Sequence, residues 1–180
     1  MKRRALLEGF VALATLPLIS SCSRELIAEQ QRSKKIKTDP ITVTPLEKPH
    51  EEWRSFLSPE AYRVLFEEDT EPSGSSPLNK EYRDGTYLCA ACHLPLFESK
   101  HKYESGTGWP SFTQPISGHI CTKRDFTLIW PRTEYHCARC GGHQGHVFND
   151  GPPPRGERWC NNGLALRFIP QEEALPELRG

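Results

Sequence analysis

The chemistry of this chain is concentrated around Cys160, in the run Arg158-Trp159-Cys160-Asn161-Asn162. Alternate residues of an extended chain face the same side. A strand over Arg158–Phe168 is therefore expected to carry Arg158, Cys160, Asn162, Leu164, Leu166 and Phe168 on one face. A free thiol titrates near pH ~8.5, so only a few per cent of it is thiolate at neutrality. Arg158 keeps its charge and favours the thiolate, and Asn162 offers an amide N–H to the sulfur or to a bound oxygen. A lone strand cysteine is more often a buried structural residue. The cation and amide on its own face favour a nucleophile instead.

Four other cysteines form two C-x-x-C pairs, Cys89/Cys92 and Cys137/Cys140. One pair alone reads as a redox dithiol, whereas two read as the four thiolates of a tetrahedral zinc site. Zinc is favoured here over two disulfides. Four thiolates leave no open position, so this zinc is expected to be structural. His143 and His146 lie three apart across Gly145, with no carboxylate or third histidine close in sequence, and proton transfer suits them better than a metal. Trp109, in Ser105-Gly106-Thr107-Gly108-Trp109-Pro110, is biased to extended backbone by Pro110 and offers an apolar wall for a methyl or thioether group.

These residues need a scaffold. Sixteen prolines and thirteen glycines in 180 residues predict many turns, short strands and little helix. Strands are expected at about Thr86–Cys89, Ile120–Ile129, Glu134–His136, His146–Phe148 and Arg158–Phe168. Ser58 as N-cap with Pro59 behind it predicts a helix from Pro59 to about Glu68, and a shorter one is expected around His50 to Phe56. Twenty-three basic residues against 23 acidic leave no net charge and no case for nucleic-acid binding.

The N-terminal residues read as a targeting segment rather than as fold. Lys2, Arg3 and Arg4 precede an apolar run, Phe10 to Leu18, too short to span a bilayer. Ile19-Ser20-Ser21-Cys22 resembles a bacterial lipobox, and the arginine pair also suits twin-arginine export. The expectation is a signal peptide over residues 1–21, a lipidated Cys22, a flexible tether over 22–45, a folded domain over 46–172 and a tail over 173–180. That implies a bacterial envelope protein, anchored by lipid on the periplasmic side.

The motifs together resemble the peptide-methionine (R)-S-oxide reductases, the B-type methionine sulfoxide reductases. The runs that carry the resemblance include Ser76–Lys80, Cys89–Cys92 with Leu94–Phe97, Ser105–Phe112, Arg132–Glu134, Cys137–His143, Gly145–Phe148 and Arg158–Phe168. The resemblance implies a mainly β fold of two twisted antiparallel sheets, with short N-terminal helices and a structural zinc on Cys89, Cys92, Cys137 and Cys140. It implies Cys160 as the nucleophile that becomes a sulfenic acid, re-reduced by a thioredoxin-like donor. His143, His146 and Asn162 would act on the sulfoxide oxygen, Arg158 would stand beside the nucleophile, and Trp109 would hold the substrate methyl of oxidised methionine. Thr107 stands where many members have a resolving cysteine, which leaves Cys121 as the unassigned thiol for that role or as a bland strand cysteine. Gln144, Trp159 and Asn161 also depart from the family pattern. A non-catalytic zinc β-module that binds protein through a Trp-lined groove is the competing reading. It would have no need of Cys160 with Arg158 and Asn162.

Overall fold

The computed structural model describes residues 43–126 and 131–180. The expected signal peptide, Cys22, most of the tether and the last residues of the strand expected to reach Ile129 lie outside them.

The described chain opens with a 3-10 turn, His50–Ser55, and an α-helix, α1 (Pro59–Phe66). Ser58 caps α1 by accepting a hydrogen bond from the Ala61 N–H at 3.2 Å, and Pro59 fills the first helical position, where no donor is needed. The helix buries Ala61, Tyr62, Val64 and Leu65.

Among the described residues nine strands follow: β1 (Gly85–Cys89), β2 (Pro95–Glu98), β3 (Lys102–Tyr103), β4 (Ser111–Phe112), β5 (Ile120–Asp125), β6 (Arg132–Cys137), β7 (His143–Phe148), β8 (Arg158–Asn161) and β9 (Leu166–Pro170). They make two antiparallel sheets, β2-β1-β9 and β3-β4-β8-β7-β6-β5. Rings from both sheets fill the core. Phe97 of β2 stacks on Phe112 of β4 with centroids 4.2 Å apart, and Tyr87 of β1 meets Phe112 edge-on at 4.9 Å.

The long strand expected over Arg158–Phe168 does not exist as one piece. β8 ends at Asn161, a 3-10 turn takes Gly163–Ala165, and the chain resumes as β9 in the other sheet. Glu71 makes this turn: its carboxylate accepts the Gly163 N–H at 2.6 Å and the Leu164 N–H at 2.9 Å. Gly163 has no room for a side chain, since a β-carbon there would lie 1.9 Å from Ser76 Oγ. Only Arg158 and Cys160 therefore share the expected face, and Leu164 is exposed. The expected tail is also part of the fold. The Arg179 N–H donates to the Cys92 carbonyl at 3.0 Å, and the Arg179 guanidinium donates to the Ala91 carbonyl at 3.2 Å.

Candidate active site

Cys160 is one member of a row of directly opposed residues that crosses five strands. Ser111 pairs with Cys160, Cys160 with His146, His146 with Glu134, and Glu134 with Lys123. Opposed residues of an antiparallel pair have β-carbons about 4.5–5.5 Å apart on one face. The row thus reads hydroxyl, thiol, imidazole, carboxylate, ammonium. Gly145 permits the close approach of β7 to β8, because a β-carbon there would lie 1.9 Å from the Cys160 carbonyl oxygen.

Residues three apart face opposite sides of a regular strand. His143 and His146 escape this rule because the β6–β7 register shifts between Tyr135 and His136. The shift turns Gln144 inward, where it is fully buried, and leaves the two imidazoles with centroids 5.5 Å apart. Each has a carboxylate partner from another strand, which sequence distance had hidden. His143 Nδ1 hydrogen-bonds Glu134 Oε1, and His146 Nε2 lies 2.9 Å from Asp125 Oδ2. Burial nevertheless pushes both histidines below their ordinary pKa, against the pull of those carboxylates. Both are neutral at pH 7. His143 Nε2 is buried and has no hydrogen-bond partner among the described residues.

Cys160 is half-buried. Burial pushes its thiol up; Arg158 first, then the Thr107 and Ser111 hydroxyls, work against that rise without cancelling it. Arg158 thus favours the thiolate, as its charge implies, but desolvation outweighs the cation. Arg158 is itself held from behind, with Nε and Nη2 on Asp150 Oδ1 and Oδ2 at 2.8 and 2.9 Å and its guanidinium 4.3 Å over the Phe148 ring. The hydroxyls near the sulfur form a chain of their own. Ser105 Oγ sits 2.9 Å from Thr107 Oγ1 and 2.8 Å from Ser111 Oγ. Tyr103 lies close enough to the Cys160 and Arg158 charges to feel both, and its hydroxyl has no partner among the described residues.

Trp109 and Asn162 are fixed by the backbone of one residue, Glu71. The indole N–H donates to the Glu71 carbonyl at 3.1 Å, and the Glu71 N–H donates to Asn162 Oδ1 at 3.1 Å. Asn162 Nδ2 donates to the Gln144 carbonyl at 3.2 Å, so both ends of its amide are engaged within the fold. The one outward sign of Glu71 in the sequence is its place before Pro72, which favours extended backbone.

Cys121 does not join this site. It lies on β5, three strands from β8, and neighbouring strands are about 4.8 Å apart, which puts it about 14 Å or more from Cys160. A disulfide needs α-carbons within about 4.4–6.8 Å. Cys121 is therefore not positioned to resolve an oxidised Cys160.

Cys89, Cys92, Cys137 and Cys140 converge from two turns, with all four sulfurs within 4.8 Å of one another. Cys89 and Cys140 sulfurs are 3.6 Å apart, and Cys92 and Cys137 sulfurs 3.5 Å. These are far from disulfide bonds. They approach the ~3.8 Å edge of a tetrahedron with metal–sulfur bonds of about 2.3 Å. The four buried thiols can hold a metal ion.

Against known proteins, a family model described as the SelR domain matches residues 57–170. A Leptospira interrogans protein named peptide methionine sulfoxide reductase MsrB is 49% identical over 122 residues, 67% of this chain and 93% of that protein. A protein of the same name from Bradyrhizobium diazoefficiens is 50% identical over 125 residues, 69% and 90% of the two chains. One from Methanosarcina barkeri is 47% identical over 129 residues, 71% and 91%.

Proposed function

Because the chain belongs to the SelR-domain family, we propose that it reduces methionine-R-sulfoxide, free or in proteins, to methionine. One observation carries the assignment of roles: Cys160 stands directly between the Ser111 hydroxyl and the His146 imidazole. The Cys160 sulfur attacks the sulfoxide sulfur while the sulfoxide oxygen takes up a proton. The substrate sulfur gains two electrons and leaves as the thioether. Cys160 loses two and ends as a sulfenic acid that carries the oxygen and the proton.

His143 and His146 handle the proton. Each is neutral and carries a carboxylate partner that steadies its ring, the arrangement expected of a group that takes a thiol proton and delivers it to an oxide. Asn162, gripped at both ends, is a positioning residue for the pocket wall. Trp109 supplies an apolar wall for the substrate methyl, with its indole held by Glu71. Arg158 favours the thiolate as it forms.

A dithiol donor of the thioredoxin kind then attacks the sulfenic sulfur directly, which releases water and regenerates the thiol with a disulfide left on the donor. Thr107 and the distance to Cys121 support this route. The metal held by Cys89, Cys92, Cys137 and Cys140 is zinc; it holds two turns together and takes no part in the redox steps. The N-terminal pattern ending at Cys22 supports export, lipidation and an envelope location, where oxidised proteins are the substrates.

Turnover of a racemic methionine sulfoxide peptide with dithiothreitol tests the reading. Consumption of the R form alone, lost in Cys160→Ser, is the expected outcome; full turnover by that variant rejects it. Mass spectrometry of the exported protein is expected to find a mature N-terminus at a lipid-modified Cys22, with residues 1–21 removed. A cytosolic chain retaining Met1 rejects the envelope assignment.

A further inference from the structure

Glu134, His136 and His143 bring three ligand atoms within 4.8 Å of one another, outside the four-cysteine cluster. His136 and His143 are opposed across β6 and β7, with ring centroids 5.8 Å apart, and Glu134 lies two residues before His136. Nothing in the reductase chemistry uses His136.

The contacts of His136 are those of a ligand. Its Nδ1 is 3.1 Å from the Gly141 carbonyl oxygen, which only a protonated Nδ1 can bond. In the neutral ring Nε2 is then a bare lone pair. That atom lies 3.1 Å from Glu134 Oε1, yet it is sealed from solvent and has no hydrogen-bond partner among the described residues. The nitrogen and the carboxylate oxygen thus lie close together with no hydrogen bond aligned between them. An imidazole steadied from behind by a carbonyl, with its other nitrogen turned to a carboxylate, is how proteins present histidine to a metal. His143 Nδ1 approaches the same Glu134 oxygen from the other side.

The geometry points to a second metal site, in which Glu134, His136 and His143 bind a borderline divalent transition ion such as Zn2+ at the rim of the reductase centre. Two imidazoles and one carboxylate are a ligand set for such ions and not for Ca2+ or Mg2+. Glu134 makes room by drawing back, so that each nitrogen reaches the ion at about 2.0–2.1 Å. Lys123 opposes binding, with its ammonium 3.2 Å from Glu134 Oε2. It is half-exposed and also bonds Glu68, so it can leave toward solvent. The side chain of His136 is 14% exposed, and the ion enters there. Occupation takes Glu134 away from His143 and puts the ion on the Nδ1 whose bond to Glu134 steadies the ring in the reductase mechanism. The ion is therefore an inhibitor of the activity proposed above; only this inhibition, and not the binding, rests on that reading.

Calorimetric titration of Zn2+ and absorption with Co2+ test it, in full-length protein with its four-cysteine zinc in place and with Cys160→Ser and Cys121→Ser to remove competing thiols. One further equivalent is expected, with weak cobalt d–d bands and no thiolate charge-transfer band. His136→Gln, and His136→Asn as a second variant, should weaken binding at least ~10-fold while they retain the four-cysteine zinc. In protein with Cys160 and Cys121 intact, His136→Gln should retain turnover and need at least ~10-fold more Zn2+ for inhibition. No further equivalent, a thiolate charge-transfer band, or binding that survives both variants overturns the site. Binding is read without the nucleophile, so a failed reductase assay leaves it standing.

Discussion

The chain holds two sulfur centres with opposite fates, and Gln144 stands between them. At the four-cysteine cluster each thiol faces other thiols, buried with them. Hydrogen bonds from its neighbours hold the Cys92 thiol well below its ordinary pKa, while the same contacts push Cys89 and Cys140 up. The cluster can ionise fully only around a cation. At the other centre Cys160 faces a hydroxyl, an imidazole and, two residues away, a guanidinium. Its burial is partial, and its neighbours ease ionisation one at a time. The difference lies in what the sheet turns toward the sulfur, not in the residue. Gln144 joins the two: its side-chain N–H lies 3.5 Å from the Cys89 sulfur, and its carbonyl accepts from the Asn162 main chain at 2.8 Å.

The sharpest test of that division removes one sulfur from each centre. Cys137→Ser should cost most of the metal's contribution to folding, on the order of 10 kcal/mol, and leave a chain without native circular dichroism. Cys160→Ser should fold normally, with an unchanged thermal midpoint, and lose at least ~1,000-fold in turnover, about 4 kcal/mol of barrier. Should Cys160→Ser unfold the chain, or Cys137→Ser keep its fold, the two centres are not divided as described.

Arg158→Met sharpens the comparison from the catalytic side. The thiol already lies above its ordinary value, so the rate of a thiolate-dependent step should climb with pH through neutrality and level off only above pH ~8.5. Without the guanidinium the thiol rises further, so the profile should shift to higher pH, with a rate at pH 7 lower by roughly 10-fold. An unchanged profile would remove Arg158 from the chemistry. The acid limb should lie below pH ~6.5, because both histidines are held below that value.

The smallest expected effect belongs to the link itself. Gln144→Leu removes the bond to Cys89 and the one accepted from Asn161 Nδ2 at 3.3 Å. Asn161 keeps its bonds to Tyr135 and to its neighbour's carbonyl. A loss of about 1–3 kcal/mol in urea unfolding is expected. Turnover should stay within a few-fold, since Asn162 bonds the main chain of Gln144 and not its side chain.

Local features were legible in the residues and long-range ones were not. The Ser58–Pro59 helix start and the two C-x-x-C turns act within a few residues, so spacing alone exposes them. The thiol row depends on the register of five strands, which no single segment encodes. The histidine pair depends on a shift in one strand pairing. The break after Asn161 depends on a carboxylate some ninety residues earlier in the chain. Alternation along Arg158–Phe168 looked continuous because nothing local records that Glu71 would seize the Gly163 and Leu164 amides.

The backbone of Glu71 has a mechanical consequence. It is one bracket bolted to two walls of the proposed substrate site, the indole on its carbonyl and the Asn162 amide on its N–H. A substrate that leans on the indole tugs the fitting that also secures the amide, so the two walls yield or hold as one. Trimming either wall should loosen the other, and combined losses at Trp109 and Asn162 should fall short of their sum.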